Sequence, residues 1–98
     1  MKRFVSFHER AEDEFNEAID FYDLESPGLG QVFIDGTQRA MESISMFPDA
    51  SPMIQRRVRK KILLKFPYTL IYSVRKNKIR ILAVAHQKRR PFYWRGRR

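Results

Sequence analysis

Arg57-Val58-Arg59-Lys60-Lys61-Ile62-Leu63-Leu64-Lys65-Phe66 is the stretch at which the chain changes its period. Val58, Lys60, Ile62, Leu64 and Phe66 alternate with Arg57, Arg59, Lys61, Leu63 and Lys65. A repeat of two belongs to a β-strand, whose successive side chains point to opposite faces. Such a strand sets Arg57, Arg59 and Lys61 in a row on one face. Pro67 cannot donate to a ladder and marks the strand's end or a bulge. Beyond it, residues 68–75 and 78–86 read as two more strands around Lys76-Asn77, where Asn tolerates the positive φ of a tight hairpin turn. Ile79, Ile81, Ala83 and Ala85 fall on one face of the last strand, with Leu82 and Val84 on the other. That strand is apolar on both sides and belongs in the middle of an antiparallel meander.

Upstream the period is 3.6. Over residues 8–24, Ala11, Phe15, Ala18, Ile19 and Tyr22 share one face while Glu9, Asp13, Glu17 and Asp20 line another, which predicts an amphipathic helix with an acidic exterior. Ser26-Pro27-Gly28 breaks this helix and can open a second, with Ser26 as N-cap and Pro27 at the first helical position. Leu29, Val32, Phe33, Ala40, Ile44 and Phe47 carry the period on to Pro48, and Gly36 and Ala40 permit a close helix approach. A loop over residues 48–52 ends it. Residues 2–7 alternate and read as a strand that pairs with a later one. The order strand, helix, helix and three strands predicts an α+β fold. The N-terminal strand joins a mostly antiparallel sheet, and the helical hairpin packs on one face of that sheet, with Phe15, Ile19, Phe33 and Ile44 against it. The other face is left open, and Arg57, Arg59 and Lys61 make it a concave basic surface.

A chain of 98 residues supports one domain, 1–98, in which 87–98 form a basic aromatic tail. With 43 % hydrophobic and 13 % aromatic residues it has enough apolar material for a core. It has no cysteine, which excludes disulfides, thiolate metal sites and a thiol nucleophile, and fits a reducing, cytoplasmic setting. The longest apolar run, Ile81-Leu82-Ala83-Val84-Ala85, falls far short of the ~20 residues that cross a bilayer, and no signal peptide is evident, so a membrane partner is not expected.

The net charge of +9 conceals a split: residues 1–55 hold four basic residues and all eleven acids, whereas residues 56–98 hold sixteen Lys and Arg and no acid. A solvated surface normally mixes both signs, so the second segment asks for negative charge from a partner, either nucleic acid or an acidic protein. His8 and His86 are the only histidines and every acid precedes residue 50, so no metal-ligand spacing exists and no metal or cofactor is expected. No G-x-S-x-G setting or Gly-rich phosphate loop is present. What remains is His86-Gln87-Lys88-Arg89-Arg90-Pro91-Phe92-Tyr93-Trp94-Arg95, which mixes guanidinium groups with three rings at the end of the central strand. Arginine neutralises phosphate and rings stack on bases. Trp94 reads as a core residue folding back on the sheet; Tyr93 is open to either use.

These residues resemble a family. Phe7-His8-Glu9-Arg10-Ala11 leading into Ala18-Ile19-Asp20-Phe21-Tyr22, then Pro27-Gly28-Leu29-Gly30, Phe66-Pro67-Tyr68 with Ile71-Tyr72, and Ala83-Val84-Ala85-His86-Gln87 with Arg89-Arg90-Pro91 together resemble toxins of the RelE/ParE superfamily of bacterial type II toxin–antitoxin pairs. The resemblance implies a helical hairpin on an antiparallel sheet and a cognate antitoxin whose tail wraps the toxin. It leaves the target open. ParE-like members act on DNA gyrase, and the His86-x-x-Arg89 pattern looks like theirs. RelE-like members cleave mRNA on the ribosome, and Tyr93 falls near their C-terminal tyrosine. In the nuclease reading His86 is the base, Arg89 stabilises the phosphorane and Tyr93 is the acid or a stacking platform. With no acid after Asp49, a carboxylate base on the sheet is not expected. A third reading is a member that only regulates through its antitoxin. Arg57, Arg59, Lys61, Arg89 and Arg90 are the expected contacts to antitoxin or target.

Overall fold

The computed structural model describes residues 3–98. β1 (Phe4–Phe7) leads directly into α1 (Glu9–Glu25), which is followed by α2 (Leu29–Met46), a 3-10 turn at Pro48–Ala50, and β2 (Met53–Gln55), β3 (Val58–Ile62), β4 (Tyr68–Arg75) and β5 (Lys78–His86). The five strands form one sheet in the order β1-β5-β4-β3-β2, antiparallel except for β1, which runs parallel to β5. Both helices lie on one face, as the change of period predicts. Lys2, expected to begin the first strand, lies outside the described residues.

Helix α1 starts where His8 turns its Nδ1 to accept the Arg10 N–H at 3.0 Å, and Glu9 and Glu12 set carboxylates against the positive end of the helix dipole. The second helix departs from expectation. Ser26 caps the end of α1, donating its N–H to the Tyr22 carbonyl, and the N-cap of α2 is Gly28, whose φ of 89° suits a residue without a Cβ. The Asp23 carboxylate takes over the capping role, accepting the Gly30 N–H at 2.8 Å. A Cβ on Gly30 would stand 2.6 Å from that carboxylate, so the close approach belongs to Gly30, not Gly36.

The core between helices and sheet is built around Phe33, fully buried, with its ring 5.1–5.9 Å from those of Phe15, Tyr22, Phe66 and Tyr68. Ile44, Leu70, Tyr72, Ile79, Ile81 and Val84 complete it, and Phe15 and Ile19 pack against it. The Tyr72 hydroxyl donates to the Pro48 carbonyl at 2.8 Å, tying the end of α2 to the sheet.

Four details of the sheet correct the sequence reading. β3 ends at Ile62, and Met53–Gln55 adds an edge strand that was not expected. The positive φ of the β4–β5 turn falls on Lys76 (52°), not Asn77. Opposite the Ile71–Tyr72 step, β5 carries an extra residue, since Tyr72 pairs with Ile81 and Ile71 with Ala83. Leu82 is thus a bulge, and it reverses the alternation: Ile79, Ile81 and Val84 face the helices, whereas Leu82 and Ala83 join Val58, Ile71 and Trp94 in a second cluster on the far face. Finally, Arg59 and Lys61 pair with Tyr72 and Leu70, which places them on the helix side of β3, and Arg57 lies in the β2–β3 turn with φ 62°. The three cations do not form a comb on the open face.

Candidate functional site

The bulge at Leu82 lies where β1 ends, so beyond Ile81 one edge of β5 has no strand partner. Side chains fill it. Glu14, from the middle of α1, accepts the Val84 N–H at 3.0 Å through Oε1, and Arg97 donates to the Leu82 carbonyl at 2.9 Å. The same two residues meet as a fork: Arg97 Nη1 lies 3.0 Å from Oε1 and Nη2 lies 3.1 Å from Oε2. The Tyr93 hydroxyl donates to Oε2 at 2.8 Å. Arg89 stacks on the Tyr93 ring, its guanidinium carbon 3.8 Å from the ring centre, and its Nη1 is 4.0 Å from Glu14 Oε2. The carboxylate that was not expected here is supplied from the other end of the chain.

This network clamps the tail. Residues 87–98 fold back by successive turns, and Trp94 is buried (4 % exposed) over the second cluster, as its hydrophobicity predicts. Burial raises the Tyr93 phenol well above its ordinary 10.0, and the hydrogen bond to the Glu14 carboxylate and that group's charge raise it further, against a smaller opposing effect of Arg97 and Arg89. Tyr93 is therefore a protonated donor, committed to Glu14.

His86 closes β5 opposite Tyr68, with the two rings perpendicular and 5.0 Å apart. Its Nδ1 accepts the Lys88 N–H at 3.1 Å, which in a neutral imidazole places the ring proton on Nε2. His86, Arg89, Glu14 and Glu17 line a groove of about 280 Å³ that also takes in Tyr68 and the exposed Phe21. Of the three residues expected to share one centre, His86 and Arg89 meet at this groove, while Tyr93 is drawn into the clamp behind it. Arg90 is exposed beside them.

The expected partner-binding cations are dispersed. Arg59 is spent on the fold: its Nη1 donates to the carbonyls of Ser51 (2.7 Å) and Asp49 (3.2 Å), holding the loop after α2. Lys61 borders an apolar groove of about 300 Å³ between α2 and the end of β3, where Val32, Gly36 and Ile62 form part of the wall and Leu64 is wholly exposed (100 %). Arg57 faces a different concavity on the far side of the sheet. Among the described residues, no group of three or more His, Asp or Glu is placed to hold a metal, and no helix is long and apolar enough to cross a membrane.

The same architecture occurs in a solved structure titled "Chromosomal ParDE TA system from P. aeruginosa". The two superpose with a TM-score of 0.62 over 87 % of this chain and 96 % of that one, at 15 % identity, a likeness of fold. No curated protein matches the sequence. The family described as the ParE toxin of type II toxin-antitoxin system, parDE, matches residues 5–91, a span that takes in β1 from its second residue, both helices, the other four strands and the His86-x-x-Arg89 segment. The chain belongs to the ParE toxin family of type II toxin–antitoxin systems.

Proposed function

We propose that this toxin arrests growth by binding DNA gyrase in the cytoplasm, without catalysing proton transfer of its own. One observation carries the choice over the RelE-like nuclease: both candidates for proton transfer already have hydrogen-bond partners within the chain. The His86 Nδ1 lone pair is taken by the Lys88 N–H, and the Tyr93 proton by Glu14. The Arg89 stack instead suits a contact surface, a charged group held on a rigid ring beside an open groove. Purified protein added to gyrase and supercoiled DNA is expected to block supercoiling or accumulate cleaved DNA. Arg89→Ala should impair this more than His86→Gln. Site-specific mRNA cuts in expressing cells, lost in His86→Gln and unaccompanied by gyrase-dependent DNA damage, would replace the proposal with the nuclease reading.

The same proposal includes an antitoxin whose tail occupies the apolar groove between α2 and β3. The exposed Leu64 and Ile62 offer apolar contacts, and Arg39, Lys61 and Lys65 border them with positive charge, which suits an acidic, apolar segment. Charge reversal at Lys61 and Lys65 is expected to weaken antitoxin binding and flatten its salt dependence.

A further inference from the structure

The face of the sheet turned away from the helices holds a concavity of about 790 Å³, and no Asp or Glu side chain lines it. Cations surround it from the two turns, β5 and the tail. Arg56 and Arg57 come from the β2–β3 turn, Arg75 and Lys78 flank the β4–β5 turn, Arg80 lies mid-strand on β5 and Arg98 comes from the tail. Arg80 is steadied by the Ser6 hydroxyl (3.1 Å) and the Arg98 backbone oxygen (3.2 Å). Arg56, Arg75 and Lys78 are exposed and have no carboxylate partner among the described residues. Six cations spread over a whole sheet face suit a linear polyanion better than a single phosphate.

The register adds a second, uncharged feature. Ser6, Arg80, Ser73 and Val58 pair across four strands in one row on this face. The neighbouring row is Phe4, Lys78 and Arg75, and Phe4 is 69 % exposed at the edge of the sheet. Val5 and Phe7 pack into the core on the opposite side. An exposed ring beside a cationic row can stack an unpaired base while the cations hold the backbone. The apolar side chains within the concavity, Val58 and Leu82, are buried and offer no anchor to an acidic peptide.

We infer that this face binds a single strand of nucleic acid, DNA or RNA alike, through its phosphates and one base stacked on Phe4. The surface is separate from the groove given to the antitoxin and from the groove at His86 and Arg89, so it stands or falls independently of the gyrase target.

Binding of the full chain to a fluorescent oligothymidylate is the test, measured by anisotropy over a range of salt. Affinity should fall steeply with salt, and the triple variant Arg56→Gln, Arg75→Gln, Lys78→Gln should bind about tenfold or more weakly, with a shallower slope. A charge-matched variant on the helix side, Arg39→Gln, Lys61→Gln, Lys65→Gln, should stay within about twofold of the parent. Phe4→Ala should weaken the oligothymidylate about five- to tenfold and leave a duplex, whose bases are stacked inside, unaffected. Oligouridylate should match oligothymidylate, and a polyglutamate of equal charge should bind more weakly than either. Equal losses in the two triple variants would reduce the effect to net charge and overturn the site. Polyglutamate binding as tightly as the oligonucleotide, or no change on Phe4→Ala, would overturn the nucleic-acid reading.

Discussion

Glu14 ties the tail to the body of the protein through Tyr93, Arg97 and Arg89. It satisfies a strand N–H, accepts a hydrogen bond from a phenol and neutralises a guanidinium, all at 3.1 Å or less, with its own side chain 13 % exposed and that of Arg97 11 %. Removing one member of a buried, hydrogen-bonded ion pair leaves the other charged and desolvated, which costs more than the pair is worth intact. Glu14→Gln is therefore expected to destabilise the protein by on the order of 3 kcal/mol in chemical denaturation and to expose Trp94, read as a red-shifted fluorescence and faster proteolysis of the tail. Tyr93→Phe keeps the ring under Arg89 and loses one hydrogen bond to a charged group, so a smaller loss of about 1.5–3 kcal/mol is expected. The position was marked in the sequence. Glu14 stands three residues after Ala11 and four before Ala18, both buried, so it lies on the apolar stripe where a carboxylate needs an internal partner. Among eleven acids that placement is easily overlooked, and nothing local names a partner 79 to 83 residues away.

At the level of elements, the helical hairpin shows how a cap can be delivered from a neighbouring helix. Asp23 and a Cβ at position 30 cannot share the same space. In the parent, Gly30→Ala forces the Asp23 carboxylate off the α2 N-terminus, and the lost cap of ~0.5–2 kcal/mol offsets the helix propensity gained. In an Asp23→Ala background the same change should stabilise by about 0.5–1 kcal/mol, and a double-mutant cycle reads the coupling directly. Thr37, buried in α2, has a hydroxyl with no hydrogen-bond partner. Thr37→Val is expected to be neutral or to stabilise by about 1 kcal/mol in thermal unfolding. Both helices, β4 and β5 were legible because each announces its period over many residues. The face of β5 was not legible, because Leu82-Ala83-Val84 is apolar throughout and a binary pattern cannot show where a bulge slips the alternation. That slip decides which side Val84 and Ala83 face. β2 was too short, and too poor in alternation, to register at all. The basic comb failed for a related reason: Arg59 and Lys61 do share a face, but pairing with Tyr72 and Leu70 turns that face toward the helices.

Across the whole molecule, one core ring and one titration govern stability. Phe33 touches aromatic rings from α1, β4 and the β3–β4 loop, and Phe33→Ala is expected to cost about 3–5 kcal/mol, checked by denaturant midpoint. All four tyrosines are raised above 10.0, chiefly by burial, so the fold favours the protonated phenols more than the unfolded chain does. Their contribution is whole below about pH 10 and declines as the pH climbs through the folded-state values. Phenolate absorbance should therefore appear late and together with loss of helical circular dichroism. The acidic half and the basic half also differ in when they exist. The ribosome releases α1 first, and Glu14 must then wait 83 residues for Arg97. At elongation rates of roughly 5–20 residues per second, that interval is about 4–17 s. Throughout it the tail is unlatched, which gives a co-translational binder several seconds to engage the growing chain before the surface built on Arg89 and Tyr93 has formed.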